Sequence, residues 1–239
     1  MISFIVPAHN EEQLLGQTLE ALHAAARSTC TPYELIVVDG ASTDRTADIA
    51  AASGAKLIPV RHRQIARARN AGARAASGDV FVFVDADTHV EAATVRATVA
   101  AVARGCTGGG ALLRFDGPLP LSIRITSVCL RLAMRFGHFA AGAYIFATRK
   151  AFDTVGGFDE GLFVTEELTL SRALRRVGPF AIVSESVVTS GRKARTHSTR
   201  ELLAPIGLLF RQGPGARRKR ANLDLWYGPR RDDPGGIQR

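Results

Sequence analysis

The chain is 239 residues long and carries a formal net charge of +9. Its 46% hydrophobic content excludes a disordered chain and suffices for one domain with an appendage. The charge is lopsided: residues 189–239 hold 12 Lys/Arg against 4 Asp/Glu, whereas residues 1–188 hold 19 against 18.

Ile2-Ser-Phe-Ile-Val-Pro7 reads as a first buried strand, and Ala8-His9-Asn10-Glu11-Glu12 as a polar turn. Leu14, Leu15, Thr18, Leu19 and Leu22 share one helical face, which predicts a helix over 12–27. Tyr33-Glu-Leu-Ile-Val-Val-Asp39 is a second strand ending in an acid. In the loop that follows, Ser42 or Thr43 is placed to cap a helix over 44–53. Residues 56–60 form a short third strand, and an Ala/Arg-rich helix over 64–76 stops at Ser77-Gly78. Asp79-Val-Phe-Val-Phe-Val-Asp85-Ala-Asp87 is a fourth, fully buried strand that runs into two acids. A helix over 91–104 completes an alternation that predicts a parallel sheet with helices on both faces.

The pattern then loosens. The Gly-rich stretch from Cys106 leads to an edge strand reaching Phe115, and Pro118 and Pro120 mark a break. A helix over 121–136 carries Arg124, Arg131 and Arg135 on one stripe. It packs on the core with that stripe in water, or it lies against anionic lipid. Ala143 to Ala147 is a strand, 149–155 a short helix ended by Gly156-Gly157, and 158–165 a loop. A helix over 166–177 and a strand over 180–183 follow. Val187 to Thr189 runs into a flexible, basic segment through Ser198. A short apolar helix over 201–211 and an extended basic tail complete the chain.

Asp85 and Asp87 stand where a buried strand leaves the core. Ligands of open α/β sheets collect at the carboxyl ends of the strands. Paired hard oxygens there suit Mg²⁺ or Mn²⁺ on a diphosphate; the plain alternative is a strand-end turn with solvated acids. Asp39 serves either a nucleotide or the cap of the next helix. Arg67 and Arg69 serve either phosphate or solvent, and Asn70 and Gly72 can be ordinary helix-surface residues. Glu166 and Glu167 open a helix, whose dipole favours their anionic forms. They are either catalytic carboxylates or ordinary first-turn acids. Cys30, Cys106 and Cys129 show no metal spacing and read as reduced thiols of a cytosolic protein. The start of the chain does not resemble a secretory leader, and no apolar run reaches membrane-span length.

Four motifs line up in order: Pro7-Ala-His-Asn10-Glu11, Val38-Asp39-Gly-Ala-Ser-Thr-Asp44, Asp85-Ala-Asp87, and Gly156-Gly-Phe-Asp-Glu followed by Glu166-Glu167. Together they resemble a family 2 glycosyltransferase of the GT-A fold, most of all its short stand-alone bacterial members. The resemblance implies a Rossmann-like α/β fold with a mixed, mainly parallel central sheet. It covers residues 1–190, with a nucleotide-binding half over 1–105 and an acceptor half over 106–190. Residues 191–239 form a basic lid, short helix and tail. It further implies inverting, non-processive transfer of one sugar from a nucleotide-diphosphate donor, a UDP-sugar first, to a hydroxyl acceptor. Pro7, Asn10, Glu11, Asp39, Arg67, Asn70 and Asp85 match nucleotide contacts. Asp87 matches the principal metal ligand, with Asp85 and His197 beside it, and Glu167 the catalytic base next to Glu166. Arg192, Lys193, Arg195 and Arg200 read either as a lid that closes over the diphosphate or as part of the general basic tail.

Two departures stand out. Thr169 replaces an acid of the Glu-Asp-x-Asp/Glu pattern, and the Gln-x-x-Arg-Trp motif of processive synthases is absent. The first keeps open a catalytically impaired scaffold that binds nucleotide-sugar or lipid. The tail, with an apolar segment before Arg217-Arg-Lys-Arg220, suits an anionic membrane face where a lipid-linked acceptor waits. Only Trp226 and Tyr227 lie near that cluster, too little stacking surface for nucleic acid. The expected location is cytoplasmic, peripheral on the inner face of the membrane.

Overall fold

The computed structural model describes residues 1–197. Four strands, β1 (Ile2–Ala8), β2 (Tyr33–Asp39), β3 (Lys56–Pro59) and β4 (Val80–Val84), form the first half of the sheet. The helices α1 (Leu15–Arg27), α2 (Thr46–Ala52) and α3 (Ile65–Ala75) connect them, and β1 pairs in parallel with both β2 and β4. The second half holds β5 (Thr88–His89), α4 (Ala92–Ala103), β6 (Gly108–Phe115), α5 (Leu121–Gly137) and β7 (Tyr144–Thr148). It ends with α6 (Arg149–Val155), α7 (Glu166–Val177), β8 (Phe180–Thr189) and α8 (Arg192–Thr196). All eight strands join one sheet in the order β3-β2-β1-β4-β7-β6-β8-β5. β7 runs antiparallel to both β4 and β6, so the sheet is parallel up to β4 and mixed beyond it.

Alternation along the strands sorts side chains onto two faces. Phe4, Val6, Val82 and Val84 face one way and meet Leu15, Leu19 and Leu22 of α1. Ile5, Phe81 and Phe83 face the other and meet α3, α6 and α7. There Phe83 packs edge-on to Phe158 at 5.0 Å and lies 5.3 Å from Phe152. Each such buried ring contributes about 2–3 kcal/mol from area alone. Gly72 is not a surface residue: a Cβ there would collide with Ile5, so its absence lets α3 lie directly on β1.

Four sequence expectations need correction. Neither Ser42 nor Thr43 caps α2; Ser42 turns back to Asp39, and Asp44 Oδ1 accepts from the Thr46 amide at 3.0 Å. β6 is an interior strand between β7 and β8, not an edge. Residues 180–189 are one strand with a register shift opposite Ala111 and Leu112, rather than two pieces. The segment after Thr189 is the short helix α8, and its Arg192 is buried. The expected helix over 201–211, Arg200 of the lid and the basic tail lie outside the described residues.

Candidate active site

The carboxyl ends of β1, β2 and β4 meet along one rim. The first loop is held to the second by hydrogen bonds. The Asn10 amide donates to Ser42 Oγ at 3.0 Å, Asn10 Oδ1 accepts from the Thr43 amide at 2.9 Å, and the Glu11 amide donates to Thr46 Oγ1 at 2.8 Å. Asn10 takes a left-handed φ of 51° to make this turn, a conformation that Asn tolerates better than most residues. Asp39, nearly buried, accepts from the Ser42 amide at 3.1 Å and from the Ser42 hydroxyl. Pro7 pairs opposite Val38, one residue before β1 ends at Ala8 opposite Asp39, beside this loop.

The β4 end is pinned from two sides. Thr18 Oγ1 of α1 donates to the Ala86 carbonyl at 2.9 Å. β5 then pairs with β8, Thr88 against Thr189, and the Ser190 amide donates to the Asp87 carbonyl at 3.1 Å. The Asp87 carboxylate receives a long 3.4 Å contact from Thr189 Oγ1.

The centre of the site is Arg69. Its side chain is 2% exposed. Nη2 donates to Asp85 Oδ1 and to the Gly142 carbonyl, both at 3.0 Å, and Nη1 donates to Glu166 Oε1 at 3.1 Å. The guanidinium lies 5.2 Å from the Phe158 ring centroid. Burial works against its charge, but Asp85, Glu166 and Glu167 outweigh it and hold the guanidinium charged. Gly142 fits between these groups: a Cβ there would stand 3.0 Å from Arg69 Nη2, 3.4 Å from Glu167 Oε1 and 3.8 Å from Asp85 Oδ2. Asp85, Glu166 and Glu167 therefore converge around one cation and one glycine.

The three carboxyls differ. Burial first, then the Glu167 charge, pushes Glu166 up to about 8, against the pull of Arg69. Burial first, then Asp87, also raises Asp85, opposed by Arg69 and Lys193. Glu167 Oε2 is buried with no hydrogen-bond partner among the described residues. Thr165, just before them, has a left-handed φ of 65°, a strained conformation for a β-branched residue.

Other expected residues are placed differently. Arg67 is exposed and pairs loosely with Glu160 at 3.5 Å. Asn70 turns inward: it donates to the Phe158 carbonyl at 2.9 Å and accepts from the Phe158 amide at 3.0 Å, which clamps that loop. Glu11 forms a buried ion pair with Arg192 Nη2 at 3.0 Å, and Arg195 Nη1 meets Asp116 Oδ1 at 3.0 Å. Two lid arginines are thus tied into the fold. His197 Nδ1 lies 3.0 Å from Thr196 Oγ1. It is not gathered with Asp85 and Asp87, for among the described residues no three His, Cys, Asp or Glu side chains form a metal-ready group.

The family model for Glycosyl transferase family 2 matches residues 3–153. The chain belongs to glycosyl transferase family 2. Curated relatives agree over a shorter stretch. An undecaprenyl-phosphate 4-deoxy-4-formamido-L-arabinose transferase of Serratia proteamaculans is 36% identical over 93 residues, 36% of this chain and 28% of the relative. A PGL/p-HBAD biosynthesis glycosyltransferase of Mycobacterium bovis is 37% identical over 107 residues, 42% of this chain and 41% of that protein. The family 2 chain therefore spans less than half the length of the curated relatives it matches.

Solved structures extend the likeness in fold. A mannosyltransferase from Pyrobaculum calidifontis, in complex with GDP-Man and Mn²⁺, superposes with a TM-score of 0.67 at 20% identity, over 85% of this chain and 59% of that one. Glucosyl-3-phosphoglycerate synthase from Mycobacterium tuberculosis, with Mn²⁺ and UDP-Glc, gives 0.63 at 22% identity, over 91% and 79%. The fold is GT-A.

The residues of the family 2 site suit a divalent ion shared with phosphate. Asp87 has a carboxylate with one long protein contact, and Asp85 has one oxygen committed to Arg69. A hard cation with few protein ligands takes its remaining oxygens from substrate phosphates and water.

The sequence does not distinguish Arg69 from Arg67, and it does not single out Gly142 or the Glu11–Arg192 pair. The available signal for Arg69 was its place in Ala-Arg67-Ala-Arg69-Asn70-Ala-Gly72, two or three residues from inward-facing positions.

Proposed function

We propose that this family 2 chain moves one sugar from a nucleotide-diphosphate donor to a hydroxyl acceptor, with inversion and without processive extension. Glu167 carries the reading: a buried carboxylate oxygen without a partner among the described residues, at the head of a helix and across Gly142 from Asp85. Glu167 accepts the proton of the acceptor hydroxyl. The acceptor oxygen then bonds to the anomeric carbon from the face opposite the leaving group. The bond from that carbon to the diphosphate oxygen breaks, and the nucleoside diphosphate leaves with the electron pair. Glu166, raised to about 8 by burial and by the Glu167 charge, holds its own proton at neutral pH and so does not compete for the acceptor's.

Asp87, with Asp85 beside it, would hold Mg²⁺ or Mn²⁺, which neutralises charge on the departing diphosphate. Arg69 orients Asp85 and Glu166 from beneath. The Asn10 loop and Asp39 form the nucleoside rim, with Asp39 the group to accept from ribose or base. Lys193, whose charge acts on Asp85, is the basic side chain placed to meet the diphosphate. The donor class is a UDP-sugar, by analogy with the UDP-Glc complex among the solved structures. The acceptor is lipid-linked, by analogy with the relative named for undecaprenyl phosphate.

Thermal-shift titration with nucleoside diphosphates, with and without Mn²⁺, tests the donor side. One nucleotide should stabilise the protein only with metal. Transfer to a sugar hydroxyl of a polyprenyl-linked saccharide should fall at least about 10²-fold in Glu167→Gln with donor binding intact. Transfer unchanged in Glu167→Gln removes the base assignment. Donor binding without transfer in the wild-type chain points instead to an impaired scaffold, which Thr169 favours: its hydroxyl contacts the Thr165 carbonyl at 3.3 Å and supplies no acid.

A further inference from the structure

The helix α5 turns its apolar crest away from the protein. Leu121, Ile125, Val128, Leu132 and Phe136 recur at helical spacing, and all are exposed, Phe136 at 75% and Leu121 at 68%. The opposite face, Ile123, Ser127, Leu130 and Met134, is the one that packs, and only Met134 is fully buried. Five large apolar side chains on one unpaired stripe are a contact surface, not scattered surface residues.

Charge identifies the partner. Arg124, Arg131 and Arg135 are exposed along one flank of the crest, and Leu121–Gly137 contains no Asp or Glu. The basic surface continues past the helix end: Arg175 Nη1 donates to the Gly137 carbonyl at 3.0 Å. Arg175 also lines, with Arg172 and Arg176, a cleft of about 280 Å³. An apolar stripe bordered by arginines and free of acids is the composition of a helix that lies in the plane of an anionic bilayer, with guanidiniums at phosphate level. A second α5 would bring six arginines and no acid to one interface. Residues 198–239 carry 9 Lys/Arg against 4 Asp/Glu, so as a whole they share the sign of this face. No helix of the described residues is long and apolar enough to cross a membrane, so contact is on the surface.

We infer that α5 is the face on which this protein lies against an anionic lipid bilayer. Its position suits a lipid-linked acceptor, because the chain passes from Gly137 at the helix end to Gly142 between Arg69, Asp85 and Glu167 in five residues. Of the two lipid contacts the sequence suggests, the basic tail and this helix, the exposed crest favours the helix, which is joined to the site.

Co-sedimentation of the full-length protein with phosphatidylcholine vesicles containing increasing phosphatidylglycerol tests it. Binding should rise with the anionic fraction and fall with salt. The double variant Leu132→Glu/Phe136→Glu should bind about tenfold more weakly or worse. Arg131→Glu/Arg135→Glu should lose the dependence on phosphatidylglycerol. Both should unfold at the wild-type temperature, since these side chains are exposed. Wild-type binding retained in Leu132→Glu/Phe136→Glu overturns the inference. So does binding abolished by Arg217→Glu/Arg218→Glu/Arg220→Glu while the α5 variants still bind. A wild-type chain that ignores vesicles but forms a dimer disrupted by Leu132→Glu assigns the crest to a second copy and overturns it equally. Vesicle binding is read without donor or acceptor, so it stands or falls apart from the transfer reaction.

Discussion

Arg69 Nη1 stands 3.1 Å from Glu166 Oε1, with side-chain exposures of 2% and 6%. Glu166 holds its proton at neutral pH, so removing Arg69 strips a hydrogen bond from it and leaves the Asp85 carboxylate without its cation, at a cost of about 1–3 kcal/mol. Arg69→Ala should lower unfolding stability by that amount in urea titration. Arg69→Lys, which keeps charge but loses the two-armed fork, should fall between. A loss under about 1 kcal/mol for Arg69→Ala would mean that Glu166 and Asp85 do not rely on it.

Glu166 gives the protein a pH dependence of definite sign. Its folded carboxyl is raised from 4.5 to about 8, by burial above all. Between those values the folded state holds a proton that the unfolded chain releases, so this group's contribution is complete below 4.5 and is lost as pH rises through about 8. Glu166→Gln should flatten the decline in melting temperature over that window. A slope equal to wild type would show Glu166 ionised beside Arg69.

Asp85 and Asp87 should separate in one pair of measurements. Asp85 is tied to Arg69 at 3.0 Å, so Asp85→Ala should destabilise by about 1–3 kcal/mol while weakening donor binding. The Asp87 carboxylate has only the long Thr189 contact, so Asp87→Ala should leave the melting temperature near wild type yet abolish Mn²⁺-dependent donor binding. Calorimetry with nucleoside diphosphate and Mn²⁺ reads both. Equal losses of affinity would undo the division of roles.

Gly142→Ala should impair turnover more than folding. The new methyl would stand 3.0 Å from Arg69 Nη2, whose buried fork has little room to retreat, and 3.4 Å from Glu167 Oε1. A shift of a few tenths of an ångström in both should reduce kcat about tenfold or more. Unaltered kcat would place Glu167 outside the reaction.

Much of the architecture was legible because the local signals were strong. Tyr33–Asp39 and Glu166–Val177 have the predicted bounds: the first is an Ile/Val run closed by an acid, the second is bounded by Thr165 and Gly178. The motifs at Asp85, Glu166 and Glu167 also pointed to groups that the fold gathers. Three things were hidden. Gly108-Gly-Gly110 reads as a loop, although it is an interior strand, because glycine's lack of a side chain removes the alternation that marks a strand. Arg67 and Arg69 are chemically alike and two residues apart, so only the docking of α3 through Gly72 decides that Arg69 turns inward. Arg192 reads as part of a lid or of the basic tail because its partner, Glu11, is 181 residues away in the chain.

The seam between β4 and β7 divides the molecule into a parallel half that carries the first three motifs and a mixed half that carries Glu166 and Glu167. Arg69 grows from the first half and grips Glu166 of the second. Exchanging the mixed half with that of another family member, to change the acceptor, is therefore not a free graft. The incoming half must bring a carboxyl to the Glu166 position and a glycine to the Gly142 position. Otherwise the recipient's Arg69 keeps Asp85 but loses its partner at the Glu166 position, and the chimera is destabilised at the junction before its new specificity can be read.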